Sequence, residues 1–147
     1  MLKGLILWFV VFLVLVGTEG ITQSTVKVSL SGLNKATGQI LFSLYESADG
    51  FPDQPKKAFQ IGSVPVHSRY LTISIESLPP GKYALAIIHD ENGNGRLDKN
   101  KLGIPIEPVG FSNNVMGAFG PPKFQRAQFN IQPGKNELKP IRLRMGQ

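Results

Sequence analysis

Residues 71–76 read Leu-Thr-Ile-Ser-Ile-Glu, apolar and polar in strict alternation. Residues 25–31 repeat the pattern, with Val26, Val28 and Leu30 on one side and Lys27, Ser29 and Ser31 on the other. Successive side chains of a strand point to opposite faces, so a period of two commits the chain to half-buried strands. Five further stretches complete the set. Residues 39–45 and 82–88 are apolar on both faces and are expected at sheet centres. Residues 59–66 and 138–145 carry Pro65 and Pro140, which lack an N–H and suit edges. The last stretch, 124–131, is expected to turn Ala127, Phe129 and Ile131 inward, as 138–145 should turn Ile141, Leu143 and Met145. Turns fall at Pro79-Pro80-Gly81 and Gln132-Pro133-Gly134, where Tyr83 either ties the corner to backbone or fills core. Residues 56–58 offer one helical turn, and no long helical period exists. The expected fold is all-β, a seven-stranded antiparallel β-sandwich, immunoglobulin-like in its turn spacing, with one long loop over residues 99–122.

The first 20 residues stand apart as a signal peptide. Lys3 supplies a positive start, residues 5–16 are unbroken apolar, and Gly17-Thr18-Glu19-Gly20 offers small residues for cleavage. The apolar run is shorter than the ~20 residues that span a bilayer, so no stable transmembrane segment is expected after cleavage; an uncleaved anchor is the rival. Residues 21–147 then form one exported domain, periplasmic or extracellular. The chain has no cysteine, which removes disulfides, thiolate metal sites and thiol catalysis; the domain must be held by its core. Losing Lys3 and Glu19 together leaves the net charge of +6 unchanged. That excess favours anionic surfaces such as lipid headgroups or an anionic envelope polymer. The basic residues are scattered rather than interleaved with aromatics, so nucleic acid is not an expected partner.

The densest polar chemistry follows the most apolar strand: His89-Asp90-Glu91-Asn92-Gly93-Asn94-Gly95-Arg96-Leu97-Asp98. Counting from Asp90, the offsets of an oxygen-ligand calcium loop are met by Asp90, Asn92, Asn94, the Arg96 carbonyl and Asp98, with Gly95 at the sharp turn. Calcium takes six to eight hard oxygens, and side chains at every second position converge when glycine lets the backbone curl. The twelfth position, where a bidentate Glu belongs, is Lys101. Glu107 is the first candidate to supply the missing oxygen, with Glu91, Asn113 and Asn114 behind it.

Two other readings compete. In one, Asp and Asn side chains cap their own backbone and the loop is a metal-free plug on a structural or adhesion scaffold. In the other, a hydrolytic site forms around His89 with Ser112 as nucleophile. Neighbours on a strand point apart, so Asp90 cannot orient His89, and no nucleophile elbow or phosphate loop is present. The chain is therefore not expected to be an enzyme. Gly110-Phe111 and Phe119-Gly120 are expected to pin the loop to the sandwich, or else to present aromatics to a ligand.

Residues 78–98, with Leu102-Gly-Ile-Pro-Ile-Glu107, Gly110-Phe-Ser-Asn-Asn114 and Phe119-Gly-Pro-Pro122, resemble domain-of-unknown-function family 2141, exported bacterial proteins with this His-Asp-Glu-Asn-Gly-Asn-Gly core. The likeness runs from Val26 to Leu143, with Ile106 standing where that family is expected to carry a lysine. It implies an envelope or secreted location and a sandwich similar to prealbumin-like or carboxypeptidase-regulatory-like domains, and it implies no activity. The chain is thus expected to be a binding or accessory module whose partner is a protein or an anionic polymer.

Overall fold

The computed structural model describes residues 23–146; the expected signal peptide lies outside them. Among the described residues nine strands form two sheets. The smaller joins β1 (Ser24–Ser31), β4 (Leu71–Leu78), β8 (Lys135–Glu137) and β9 (Ile141–Arg142). The larger runs β3 (Gln60–Pro65), β2 (Gln39–Tyr45), β5 (Gly81–Asp90) and β6 (Val109–Phe111), with β7 (Phe129–Ile131) also on β5. The alternating stretches became strands as the period required. Val26, Val28, Leu30, Ile73 and Ile75 from one sheet meet Ile40, Phe42, Leu44, Leu85 and Ile87 from the other in a single buried core. The arrangement is sandwich-like.

Several expectations are corrected. The strands number nine rather than seven, and β8 and β9 run parallel to β1, so the fold is not purely antiparallel. Residues 124–131 divide into one turn of helix, α1 (Phe124–Ala127), and then β7. Phe124 and Ala127 lie three apart, the spacing of one helical face, and both are buried. Residues 138–145 contribute only the two residues of β9, and Met145 is 43% exposed. Within the expected long loop, β6 adds a strand to β5 and Val109 bridges Arg144. Here Gly110 is needed for close approach rather than for a bend, because a Cβ there would sit 2.8 Å from the Ile141 side chain. Phe119 is fully exposed and pins nothing.

β5 is buried on both faces. Tyr83, Leu85 and Ile87 enter the inter-sheet core. Ala84 and Ala86 face the other way, into a second cluster with Tyr45, Val109, Phe111, Phe124 and Ala127. Phe51 joins that cluster edge-on to Tyr45, Phe111 and Phe124, at centroid distances of 5.4, 6.1 and 5.8 Å. The segments after β2 and around β6 therefore cover the outer face of the larger sheet. The corner before β5 is tied as one reading had it: the Tyr83 hydroxyl donates to the Pro79 carbonyl at 3.0 Å.

Ser112 fastens this second cover. Its buried hydroxyl accepts from the Leu85 N–H at 2.9 Å and donates to the Ala127 carbonyl, joining β5 to α1. A buried donor left unpaired costs about 1–3 kcal/mol. Ser112→Ala should therefore lower the unfolding free energy by roughly 1–3 kcal/mol with an unchanged urea m-value. A loss within the error of the chemical denaturation curve would show that water reaches both groups.

Candidate functional site

The site begins where β5 ends. Its register against β2 pairs Ile40 with His89 and Gln39 with Asp90, so the two residues leave the strand on opposite faces. His89 is completely buried on the core side, with Nε2 at 2.9 Å from the Thr37 carbonyl. A carbonyl only accepts, so Nε2 carries the proton. Among the described residues Nδ1 has no hydrogen-bond partner, and it faces Glu91 Oε1, equally unpartnered, at 3.9 Å. Glu91 Oε2 in turn pairs with Lys35 at 2.9 Å.

Asp90, also fully buried, faces the loop that follows it. Oδ1 accepts the N–H groups of Gly93 and Asn94 at 2.8 and 3.1 Å. Oδ2 accepts the Gly95 N–H and the Gln39 amide, both at 2.8 Å. A carboxylate offers about four lone-pair sites, and all four are taken. The curl this requires is possible because Gly93 and Gly95 adopt φ of 73° and 79°, the left-handed region that glycine enters without a Cβ penalty. Burial of the carboxylate is offset by these charge-assisted bonds.

Glu107 comes to the loop and is bound there to backbone. It is 4% exposed, and its oxygens accept the backbone N–H of Glu91 at 2.9 Å and of Asp98 at 3.0 Å. One carboxylate thus clamps both ends of the curl. The remaining predicted oxygens gather on the outside. Asn92 Nδ2 donates to Asp98 at 2.7 Å, and Asn94 Nδ2 reaches both Asp98 oxygens at 3.0 and 2.9 Å. The Asn92 and Asn94 carbonyl oxygens accept the N–H groups of Asn94 and Arg96, closing two successive Asx turns. The Arg96 side chain stands 3.6 Å from Asp98. Among the described residues no three of His, Asp and Glu are grouped as metal ligands. Asn113 and Asn114 serve elsewhere: Asn113 donates to the Arg126 and Gln128 carbonyls, and Asn114 bonds the Pro140 carbonyl and the Arg142 N–H.

Ser112 is not brought to His89. Its hydroxyl is committed at Leu85, four residues up the strand, or ~13 Å at ~3.3 Å per residue. Sequence reasoning missed Gln39, Thr37 and Lys35, which meet the loop only through the pairing of β2 with β5. One signal was available in Gly38 before Gln39. Its φ is 80°, and a Cβ there would lie 2.3 Å from the Asp90 carbonyl oxygen.

Two outcomes follow. Asp90→Ala strands the Gly93 and Gly95 N–H groups, with Asn94 N–H keeping the Asn92 side-chain oxygen, and should cost about 2–5 kcal/mol, while Asp90→Asn, keeping one acceptor oxygen, should cost about half as much; equal losses in thermal unfolding would contradict this assignment. The Asp98 carboxyl is held below the usual aspartate range by the Asn94 and then the Asn92 amide, which outweigh desolvation; Arg96 adds the smallest contributions in the same direction as the amides. A depressed folded value means that its contribution is present above the ordinary aspartate range and is lost as pH falls through the lowered value. The Asn92 and Asn94 side-chain amide resonances should therefore titrate with a midpoint below the ordinary aspartate range.

Comparison with known proteins matches the chain over residues 28–139 to one family model, described as an uncharacterized protein conserved in bacteria. No curated protein and no solved structure matches it. The match covers well over half of the chain and includes the whole Asp90–Asp98 curl and Glu107. The chain belongs to domain-of-unknown-function family 2141.

Proposed function

We propose that this is an exported, non-catalytic binding or accessory module of the bacterial envelope, with residues 90–107 as its rigid partner-facing surface. The observation that carries the reading is the saturation of Asp90 by three loop N–H groups and Gln39. With Glu107 holding both ends, the loop needs no ion to stay ordered. A preformed loop loses little conformational freedom when a partner docks. The family is described as conserved in bacteria, and the apolar leader read in the sequence is what supports export to the envelope. The two-sheet arrangement is compatible with a prealbumin-like or immunoglobulin-like sandwich.

A second reading has one observation in its favour. Asn92, Asn94 and Asp98, at calcium-loop spacing, do converge. Calcium would take oxygens from these residues, from Asp90 and from the Arg96 carbonyl, at the expense of the bonds described above.

Thermal unfolding separates the two. A native-state ligand stabilises by about 2.7 kcal/mol at a hundredfold excess over Kd, several degrees in Tm for a chain of this size. The metal-free reading expects superimposable melts in millimolar calcium and in chelator. A calcium shift that disappears in Asp98→Ala would install the second reading. Fractionation of cells expressing the whole chain tests export. Recovery of shortened protein from periplasm or medium is expected, and full-length protein confined to the cytoplasm would overturn the envelope assignment.

A further inference from the structure

Residues 98–107 form a short hairpin standing out from the clamped loop. Ile106 N–H donates to the Asp98 carbonyl at 3.0 Å at its base, and Lys99 bridges Pro105 above. Asn100 organises the apex. Its side-chain oxygen accepts the N–H groups of Leu102 and Ile104 at 2.9 and 3.0 Å, and its carbonyl accepts that of Gly103 at 2.9 Å. The N–H groups of Asn100, Leu102, Gly103 and Ile104 are thus satisfied within the hairpin. Leu102 at that apex is 83% exposed, and Ile106 on the flank is 51% exposed.

A single exposed leucine needs no explanation on a protein surface. Three features set this one apart. Four of the tip's five N–H groups, those of Asn100, Leu102, Gly103 and Ile104, are already paired, so leaving water would strand only that of Lys101. Lys101 directly precedes it and Lys99 stands three residues before it, both exposed. The acids of the region, Asp90, Asp98 and Glu107, are engaged by loop donors, and Glu91 is paired with Lys35. The hairpin therefore shows an apolar point beside two exposed cations.

We propose that this hairpin docks on an anionic lipid surface, with Leu102 entering the interface and Lys99 and Lys101 meeting headgroup phosphates. The inference rests on the binding-module reading and names its partner. A soluble polyanion would engage the lysines and leave Leu102 unused, whereas a bilayer interface takes an apolar point and the cations beside it together. The net charge of +6 adds attraction at longer range.

The test uses the chain from residue 21, since both core clusters draw on residues between Val26 and Leu143. Trp8 is the sole tryptophan, so Leu102→Trp in that chain is a single reporter. With phosphatidylglycerol–phosphatidylethanolamine vesicles its emission should shift to the blue and be quenched by brominated lipid. With phosphatidylcholine it should stay unchanged. Co-sedimentation of the parent chain should weaken at high salt, where the screening length falls to about 3 Å at 1 M. Leu102→Ser should bind roughly tenfold more weakly, and Lys99→Glu with Lys101→Glu weaker still by a similar factor. No sedimentation with anionic vesicles overturns the proposal, as does sedimentation without a blue shift, which would put the contact on another surface. Either failure leaves the export and calcium experiments, and the reading they test, untouched.

Discussion

The fold turns on the apolarity of β5 on both faces. A strand of this kind needs two covers, and the second sheet supplies only one, through Val28, Ile73 and Ile75. The other comes from the segment after β2, the end of β6 and α1, through Phe51, Phe111, Phe124 and Ala127. Long connections usually run over a surface because buried loop backbone is hard to satisfy. Here the problem is met with side chains: Ser112 bonds β5 and α1, and Asn113 and Asn114 bond the carbonyls of the segments beside them. What the sequence displays as a featureless Gly- and Pro-rich stretch is a covering layer built from fixed polar bonds.

The same strand delivers the candidate site. Because β5 runs two residues beyond its last aliphatic, His89 and Asp90 emerge on opposite faces with opposite tasks. His89 stays within the core end and holds the β1–β2 connection through Thr37. Asp90 gathers the N–H groups of the following curl. Two carboxylates, Asp90 inside the curl and Glu107 across its ends, fix a loop of exposed Asn and Gly residues that Leu97 also ties to the second apolar cluster. Rigidity here comes from charge-assisted bonds more than from burial.

Much of this was legible beforehand. The alternation in 25–31 and 71–76 places both strands and their inward faces, because period and pleat are the same fact. Doubly apolar 39–45 and 82–88 did become neighbours within one sheet. The sequence also singles out the curl and points to Glu107 across a gap of nine residues. It misleads where local pattern is ambiguous. Phe124-Gln-Arg-Ala127 serves equally as a strand alternation or as one helical turn, and the need to cover β5 decides for the turn. The parallel pairing of β8 and β9 with β1 has no local signature, since it depends on where a crossover lands. Gln39 and Thr37 were invisible for the same reason.

The calcium-like spacing illustrates how one pattern can serve two physical ends. Oxygens at alternate positions around a glycine converge whether they are to hold a cation or to accept the N–H groups that the curl itself exposes. The deciding quantity is lone-pair capacity. Asp90 has about four sites and four donors within 3.1 Å, so an ion could enter only by displacing one of them. Asp98 differs: its donors are amide Nδ2 groups, which can rotate to present oxygen instead. The inner carboxylate is thus committed to backbone while the outer one can exchange partners. A ligand that meets the curl without opening it should therefore engage the Asn92–Asn94–Asp98 surface, whereas calcium held in the manner of a calcium loop would have to displace donors from Asp90.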